Sequence, residues 1–245
     1  MSELLKKRGE PKIPTVMSNF PNQFPLDLTT QVTVGICGKA GSGKDTLAKL
    51  LRRALNKPGR RWFIDTDWYA RPIKEAYVAK WGEVLNFTYE DTNDYEWKKK
   101  LNPFTNTTHR EELQFDGTEG TRVRTGNLNV WVQHLWVRNF NLKGFLLVPD
   151  TRFENEVQFT KETGILIKIV NPKKEDIAQS DHSSEVVTDD ANCHFVIDNS
   201  GTISTLEDKV AKIAEYMMPQ EIDTDDWGSI KVTFMKNLPT ETVYI

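Results

Sequence analysis

The chain has 245 residues and a mass of 28.2 kDa, with 38% hydrophobic and 27% charged residues, 14 Gly and 11 Pro. That composition suits one globular α/β domain with a full core and excludes disordered, collagen-like and coiled-coil classes. With 32 basic and 35 acidic side chains the formal charge is −3, which argues against nucleic acid as the main partner and requires any bound anion to be met locally.

Residues 1–30 carry Pro11, Pro14, Pro21 and Pro25 among polar residues and read as an irregular N-terminal arm. Val32-Thr-Val-Gly-Ile-Cys37 is short, apolar and rich in β-branched residues, as expected of a strand buried on both faces of a parallel sheet. Leu47, Leu50, Leu51, Ala54 and Leu55 then line one face of a helix, which Pro58-Gly59 ends. Further strands are predicted at Trp62–Ile64, Phe145–Val148, Ile165–Val170 and His194–Ile197, with helical patterns between most of them. This alternation predicts an α/β fold with a parallel, doubly wound sheet.

The stretch from Trp81 to Gly126 is polar, aromatic-rich and short of strand patterns, so it reads as an insertion or lid over a cleft. Ser204 and Glu207 have capping-box spacing ahead of a helix whose apolar face is Leu206, Val210, Ile213, Ala214 and Met217. The tail after Pro219 is acidic and then apolar. No run reaches the roughly 18 apolar residues of a membrane span, and the N-terminus has no signal-peptide pattern. Cys37 and Cys193 have neither disulfide-scaffold nor zinc-ligand spacing, so a reduced, cytoplasmic setting with no membrane partner is expected.

Gly38-Lys-Ala-Gly-Ser-Gly43-Lys44 fits the P-loop pattern G-x-x-x-x-G-K and lies between a buried strand and an amphipathic helix, the context that confirms it. Its glycines turn successive N–H groups toward a phosphate, the helix start adds partial positive charge, and Lys44 neutralises β- and γ-phosphate oxygens. The expected ATP-binding set is Gly38, Gly41, Ser42, Gly43, Lys44, Asp45 and Thr46. Where a P-loop ordinarily has Ser or Thr to hold Mg²⁺, this chain has Asp45, followed by Thr46. Either Asp45 holds the ion, directly or through water, or Thr46 supplies the hydroxyl. Asp150, ending a predicted strand, is the second candidate metal carboxylate, with a helix N-cap as its alternative.

Arg152 follows two residues later at the carboxyl end of the same strand, where open α/β sheets bind ligands; the alternative is a surface pair with Glu154 or Glu156. Arg110 and Gln114 share a helical face. Arg122 and Arg124, in the glycine-flanked Gly120–Gly126, read as lid groups closing over phosphates. Lys44, Arg122 and Arg152 are therefore the candidate catalytic cations. Trp131 belongs to an apolar helical stripe with Leu128, Val132, Leu135 and Trp136 and is its best candidate for a base-stacking exception. His182 and Glu185 read as loop and capping groups.

Five segments together resemble the deoxynucleoside monophosphate kinases of tailed bacteriophages. They are Gly38–Thr46 with its Lys-Asp-Thr, Tyr69-Ala-Arg-Pro-Ile-Lys-Glu75, Arg110-Glu-Glu-Leu-Gln-Phe-Asp-Gly-Thr118, Val148-Pro-Asp-Thr-Arg152, and Asp198-Asn-Ser-Gly201. The resemblance implies transfer of the ATP γ-phosphate to a deoxynucleoside monophosphate, with Mg²⁺, in an adenylate-kinase-like P-loop fold that is often dimeric. Ala70, Lys74, Arg110, Gln114, Gly117, Thr118, Trp131 and Arg152 would then surround the acceptor, and Asp45, Thr46 and Asp150 the metal. The implied organisation is an arm over 1–30, a P-loop kinase domain over 31–218 with its lid at about 81–140, and a tail over 219–245. Competing readings are another small-molecule P-loop kinase, an ATP-dependent switch protein, and a 5′-end polynucleotide kinase.

Overall fold

A computed structural model of the chain describes residues 31–56, 62–173, 190, 193–218, 221–224, 230–233, 239 and 241–245. The predicted arm, Pro58-Gly59, His182 and Glu185 lie outside the described residues.

The central sheet has six strands, all parallel, in the spatial order β10-β7-β6-β1-β5-β2. In chain order these are β1 (Gln31–Cys37), β2 (Phe63–Thr66), β5 (Gly144–Val148), β6 (Gly164–Val170), β7 (Phe195–Asp198) and β10 (Val243–Tyr244). β1 and β5 alternate little because both of their faces are covered: all five residues of β5 and six of the seven in β1 are buried. Helices α1 (Lys44–Leu55) and α7 (Ile203–Met217) cover one face with Leu47, Leu51, Leu55, Leu206, Val210 and Ile213 against Val32, Val34, Ile36 and Phe195. On the other face α5 (Val130–Asn139) and α6 (Glu154–Thr163) seat Trp131, Leu135 and Phe159 on Leu146 and Val148. Helices on both faces of a parallel sheet are the doubly wound arrangement that the strand–helix alternation predicts.

The insertion is built from α2 (Arg71–Leu85), α3 (Tyr95–Lys98), a two-residue-strand hairpin β3 (Leu101–Asn102) and β4 (Thr107–Thr108), and α4 (His109–Gly117). Its own small core is Tyr77, Phe87 and Trp97, with the His109 ring stacked on Trp97 at 4.1 Å between centroids. Tyr77 donates its hydroxyl proton to Glu112, so its oxygen is left to accept from the Nδ1–H of His109 at 2.8 Å. Thr108 and Glu111 form a full capping box at the start of α4.

Three expectations are corrected. Gly120–Gly126 is no loop: α4 runs on through a π-helical turn, Thr118–Val123, so the backbone there is committed to helical hydrogen bonds. The cap of α7 is Thr202, whose hydroxyl accepts from Thr205 N–H, and the helix begins at Ile203, ahead of the predicted Ser204. The tail is not separate from the main domain, because β10 extends the main sheet alongside β7. The tail also supplies a second antiparallel pair, β8 (Glu221–Thr224) with β9 (Ile230–Thr233). Among the described residues no helix is long and apolar enough to cross a membrane.

Candidate active site

Because the six strands are parallel, their carboxyl ends open on one edge of the sheet, which gathers the residues after β1, β2, β5 and β7. β1 leads directly into the phosphate loop. Gly38 (φ 146°) and Gly43 (φ 106°) adopt left-handed backbone, and space excludes a side chain at both. A Cβ on Gly38 would lie 2.3 Å from the Ile169 carbonyl oxygen, and one on Gly43 would lie 2.6 Å from Asn199 Nδ2. No side chain caps α1, so its first N–H groups face the loop. Lys44 Nζ donates to the carbonyls of Gly38 at 2.7 Å and Lys39 at 2.8 Å, which holds the ammonium across the loop's mouth. Ser42 Oγ is buried with no hydrogen-bond partner among the described residues. An orphan hydroxyl inside a cradle of turned N–H groups fits a polyphosphate ligand.

Asp150, beyond the end of β5, is half-buried and accepts from the backbone N–H of Tyr69 (3.0 Å) and Ala70 (2.9 Å). The carboxylate thereby pins the β2–α2 connection and the start of α2, while Phe153 is the N-cap of α6. Burial pushes its carboxyl above the usual range, against the pull of those two N–H donors and of Arg152 and Lys74. The Lys74 ammonium is pushed down by burial, opposed by Asp150 and Asp45 and reinforced by Arg152. Lys98, from α3, is pushed down to about 8, first by burial and then by Lys74, Arg110 and Arg152, with Asp45 opposing. Lys98 thus senses Lys74, Arg110, Arg152 and Asp45, and Lys74 senses Asp150, Asp45 and Arg152, which relates charges of α1, α2, α3, α4 and the β5–α6 loop.

Of the predicted residues, Asp45, Lys74, Arg110, Asp150 and Arg152 belong to this set of charges, Lys44 lies across the mouth of the phosphate loop, and Ala70 donates its N–H to Asp150. Gln114, Gly117 and Thr118 lie farther along α4 and its π-helical turn. Two predicted residues have other duties. Arg122 is buried, ion-paired to the equally buried Glu156, and its guanidinium lies 3.7 Å from the Phe153 ring centroid. It bolts the π-helical turn to α6 and is no lid group. Glu156, occupied by Arg122, also accepts the backbone N–H groups of Arg152 and Phe153, which rules out the predicted surface pair with Arg152 through that carboxylate. Trp131 is core: it packs with Tyr69, Leu135 and Phe159, and its indole N–H donates to Gly117 O at 2.8 Å. A platform for a base would need an open ring face, which this packing removes.

Three residues were missed. Asp67, just after β2, is buried and takes Arg138 Nε (2.9 Å) and Asn139 Nδ2 (2.8 Å), tying α5 to the ligand edge. Asn199 Nδ2 donates to Ser42 O at 2.8 Å and so joins the β7–α7 connection to the phosphate loop. Lys98 sits in Lys98-Lys-Lys100, a run that reads as a solvated face. For Asn199 the signal was present, in Asp198-Asn-Ser-Gly201 at the end of a predicted strand.

No family model and no curated protein matches the chain. Solved structures with some likeness include the APS kinase CysC of Mycobacterium tuberculosis in complex with AMPPNP and APS, at 13% identity over 76% of this chain and 98% of that one (TM-score 0.43). Shikimate kinase from Acinetobacter baumannii in complex with shikimate is similar at 16% identity over 77% and 93% (TM-score 0.41). Shikimate kinase from Bacteroides thetaiotaomicron is similar at 13% identity over 75% and 98% (TM-score 0.41).

Proposed function

We propose that this protein is a kinase that transfers the γ-phosphoryl group of ATP to the phosphate of a deoxynucleoside monophosphate, giving the diphosphate and ADP. The observation that carries the reading is the convergence of Lys74, Lys98, Arg110 and Arg152 beside a P-loop that has its own lysine. A single bound triphosphate is served by the loop and Lys44; a further group of cations beside it suits a second phosphorylated ligand. The deoxynucleoside part of the proposal rests on the five sequence segments named above.

Lys44 would neutralise the moving phosphoryl group, and Arg152, at the strand end between loop and insertion, would bridge donor and acceptor phosphates. Lys74 and Arg110 would hold the acceptor phosphate, and the α4 end with Gln114, Gly117 and Thr118 would border its nucleoside. No group of three or more His, Cys, Asp or Glu is placed to hold a metal among the described residues. Mg²⁺ brought in with a nucleotide suits this site, because it commonly takes only one or two protein carboxylates and fills its shell with phosphate oxygens and water. Asp45, Thr46 and Asp150 would hold it, where it would neutralise phosphate charge.

The test is a coupled ADP-release assay with ATP and Mg²⁺, adding each common deoxy- and ribonucleoside monophosphate in turn. Release dependent on one or a few deoxynucleotides is the expected result. Turnover indifferent to all monophosphates would overturn the reading and favour an ATP-dependent switch; release with a non-nucleotide acceptor would favour another small-molecule kinase.

A further inference from the structure

Within the Trp97-Lys-Lys-Lys100 run the three lysines have different environments. Lys99 is exposed, pairs with Glu96 at 2.8 Å and lies over the Tyr95 ring at 4.2 Å. Lys100 is exposed and uses its backbone carbonyl to receive His109 N–H. Lys98 is half-buried and forms no ion pair or side-chain hydrogen bond among the described residues.

The position of Lys98 is set by its neighbours. Asp94 caps α3 by accepting from Trp97 N–H at 2.6 Å, and the Trp97 ring is fixed on His109. On one flank Lys74 Nζ donates to Asn93 Oδ1 at 2.6 Å; on the other the Arg110 guanidinium lies over Tyr95 at 5.1 Å. α3 is therefore held between two cations of the site, and Lys74, Arg110 and Arg152 act on its Lys98 ammonium as like charges, with Asp45 opposing. Asp45 belongs to the first turn of α1, directly after the phosphate loop. A lysine with a purely structural duty would be half-buried against a carboxylate or a carbonyl. This one is half-buried against three like charges, an arrangement that an arriving anion relieves.

We infer that Lys98 is an acceptor-binding residue: the insertion delivers it to the phosphate-loop side, where with Lys74, Arg110 and Arg152 it receives the doubly charged phosphate of a phosphomonoester. This rests on the kinase reading for the word acceptor, but the anion site itself does not. Arg122, by contrast, has its charge consumed by Glu156, so Lys98 takes the place in the site that the sequence pattern gives to Arg122.

The experiment is direct binding by calorimetry, without turnover, using dTMP, dGMP, thymidine and a non-hydrolysable ATP analogue on the full chain. The variants are Lys98→Gln, Lys98→Arg and, as a control, Lys99→Gln. Lys98→Gln is expected to weaken monophosphate binding about tenfold or more, as for loss of a charge-assisted contact. ATP-analogue affinity and melting temperature should stay unchanged, Lys98→Arg should restore part of the loss, and Lys99→Gln should bind as the parent does. Unchanged monophosphate affinity in Lys98→Gln, or an equal loss for the ATP analogue, would overturn the assignment. If binding depends on Lys98 while no monophosphate is phosphorylated, the anion site stands and the kinase reading falls. If the parent binds no monophosphate, both fall.

Discussion

Lys44 is anchored at its own loop by the Gly38 and Lys39 carbonyls, so its ammonium is positioned at the mouth of the cradle. On the proposed kinase reading, removing it deletes charge stabilisation of the moving phosphoryl group: Lys44→Ala is expected to retain the fold by circular dichroism and to lose about 10²-fold or more of the turnover. Asn199 acts at one remove, because its amide holds the Ser42 carbonyl and fills the space beside Gly43. Asn199→Ala should raise KM for ATP several-fold with KM for the monophosphate unchanged, which steady-state kinetics with each substrate varied in turn would check. Lys44 was legible from its role in a pattern, and Asn199 only as a member of Asp198-Asn-Ser-Gly201 at the end of a predicted strand; that its amide reaches a loop 157 positions away has no local sign.

At the scale of elements, β1, the phosphate loop and α1 were readable because every cue is short-range: β-branched apolar run, glycines, then an apolar face at helical spacing. The insertion was not, since its order depends on a few buried polar contacts across elements. The Arg122–Glu156 pair is one. Both partners are buried, so Arg122→Ala leaves a carboxylate without its counter-charge and should cost about 3–5 kcal/mol in urea unfolding. The Tyr77–His109–Glu112 network is another. Burial holds the His109 imidazole below its usual 6.5, outweighing the nearby Glu112 charge. The unfolded chain therefore binds the proton first as pH falls. This contribution to stability is complete above about 6.5 and is lost progressively as pH drops from there toward the folded value. Hydrogen exchange of α2 and α4 amides should show local opening growing over that window, and a flat profile would remove His109 from the account. Tyr77→Phe should open the same helices at all pH values, since it strips Glu112 and His109 of their shared hydroxyl.

At the scale of the whole molecule, the ligand edge is assembled from parts supported from opposite ends of the sheet. Asp67 and Arg138 brace it beside β2. Beside β7 the support is β10: Ile245 O accepts Asp198 N–H at 3.2 Å and Lys209 Nζ at 3.2 Å, and Lys209 also donates to Asp198 O at 2.7 Å. Deleting 243–245 should lower the melting temperature by several degrees and weaken ATP binding more than monophosphate binding, because the frame of the Asn199 connection is lost. Thermal unfolding and calorimetry on the truncated chain would check both. The parallel sheet was legible from its apolar runs, but the membership of β10 was not: a strand of two residues gives no period to read.

That last strand also sets an order of events during synthesis. Residues 31–217 hold five of the six sheet strands and both face-covering helix pairs, so most of the core can close as soon as they leave the ribosome. Strand β10 is translated after all of them, and the carbonyl of Ile245 completes the frame of the connection that touches the phosphate loop. A nascent chain stalled before these residues would present a formed sheet whose nucleotide edge is still loose. Pulse proteolysis of stalled chains with and without ATP would show ligand protection arriving late, after the core itself has become resistant.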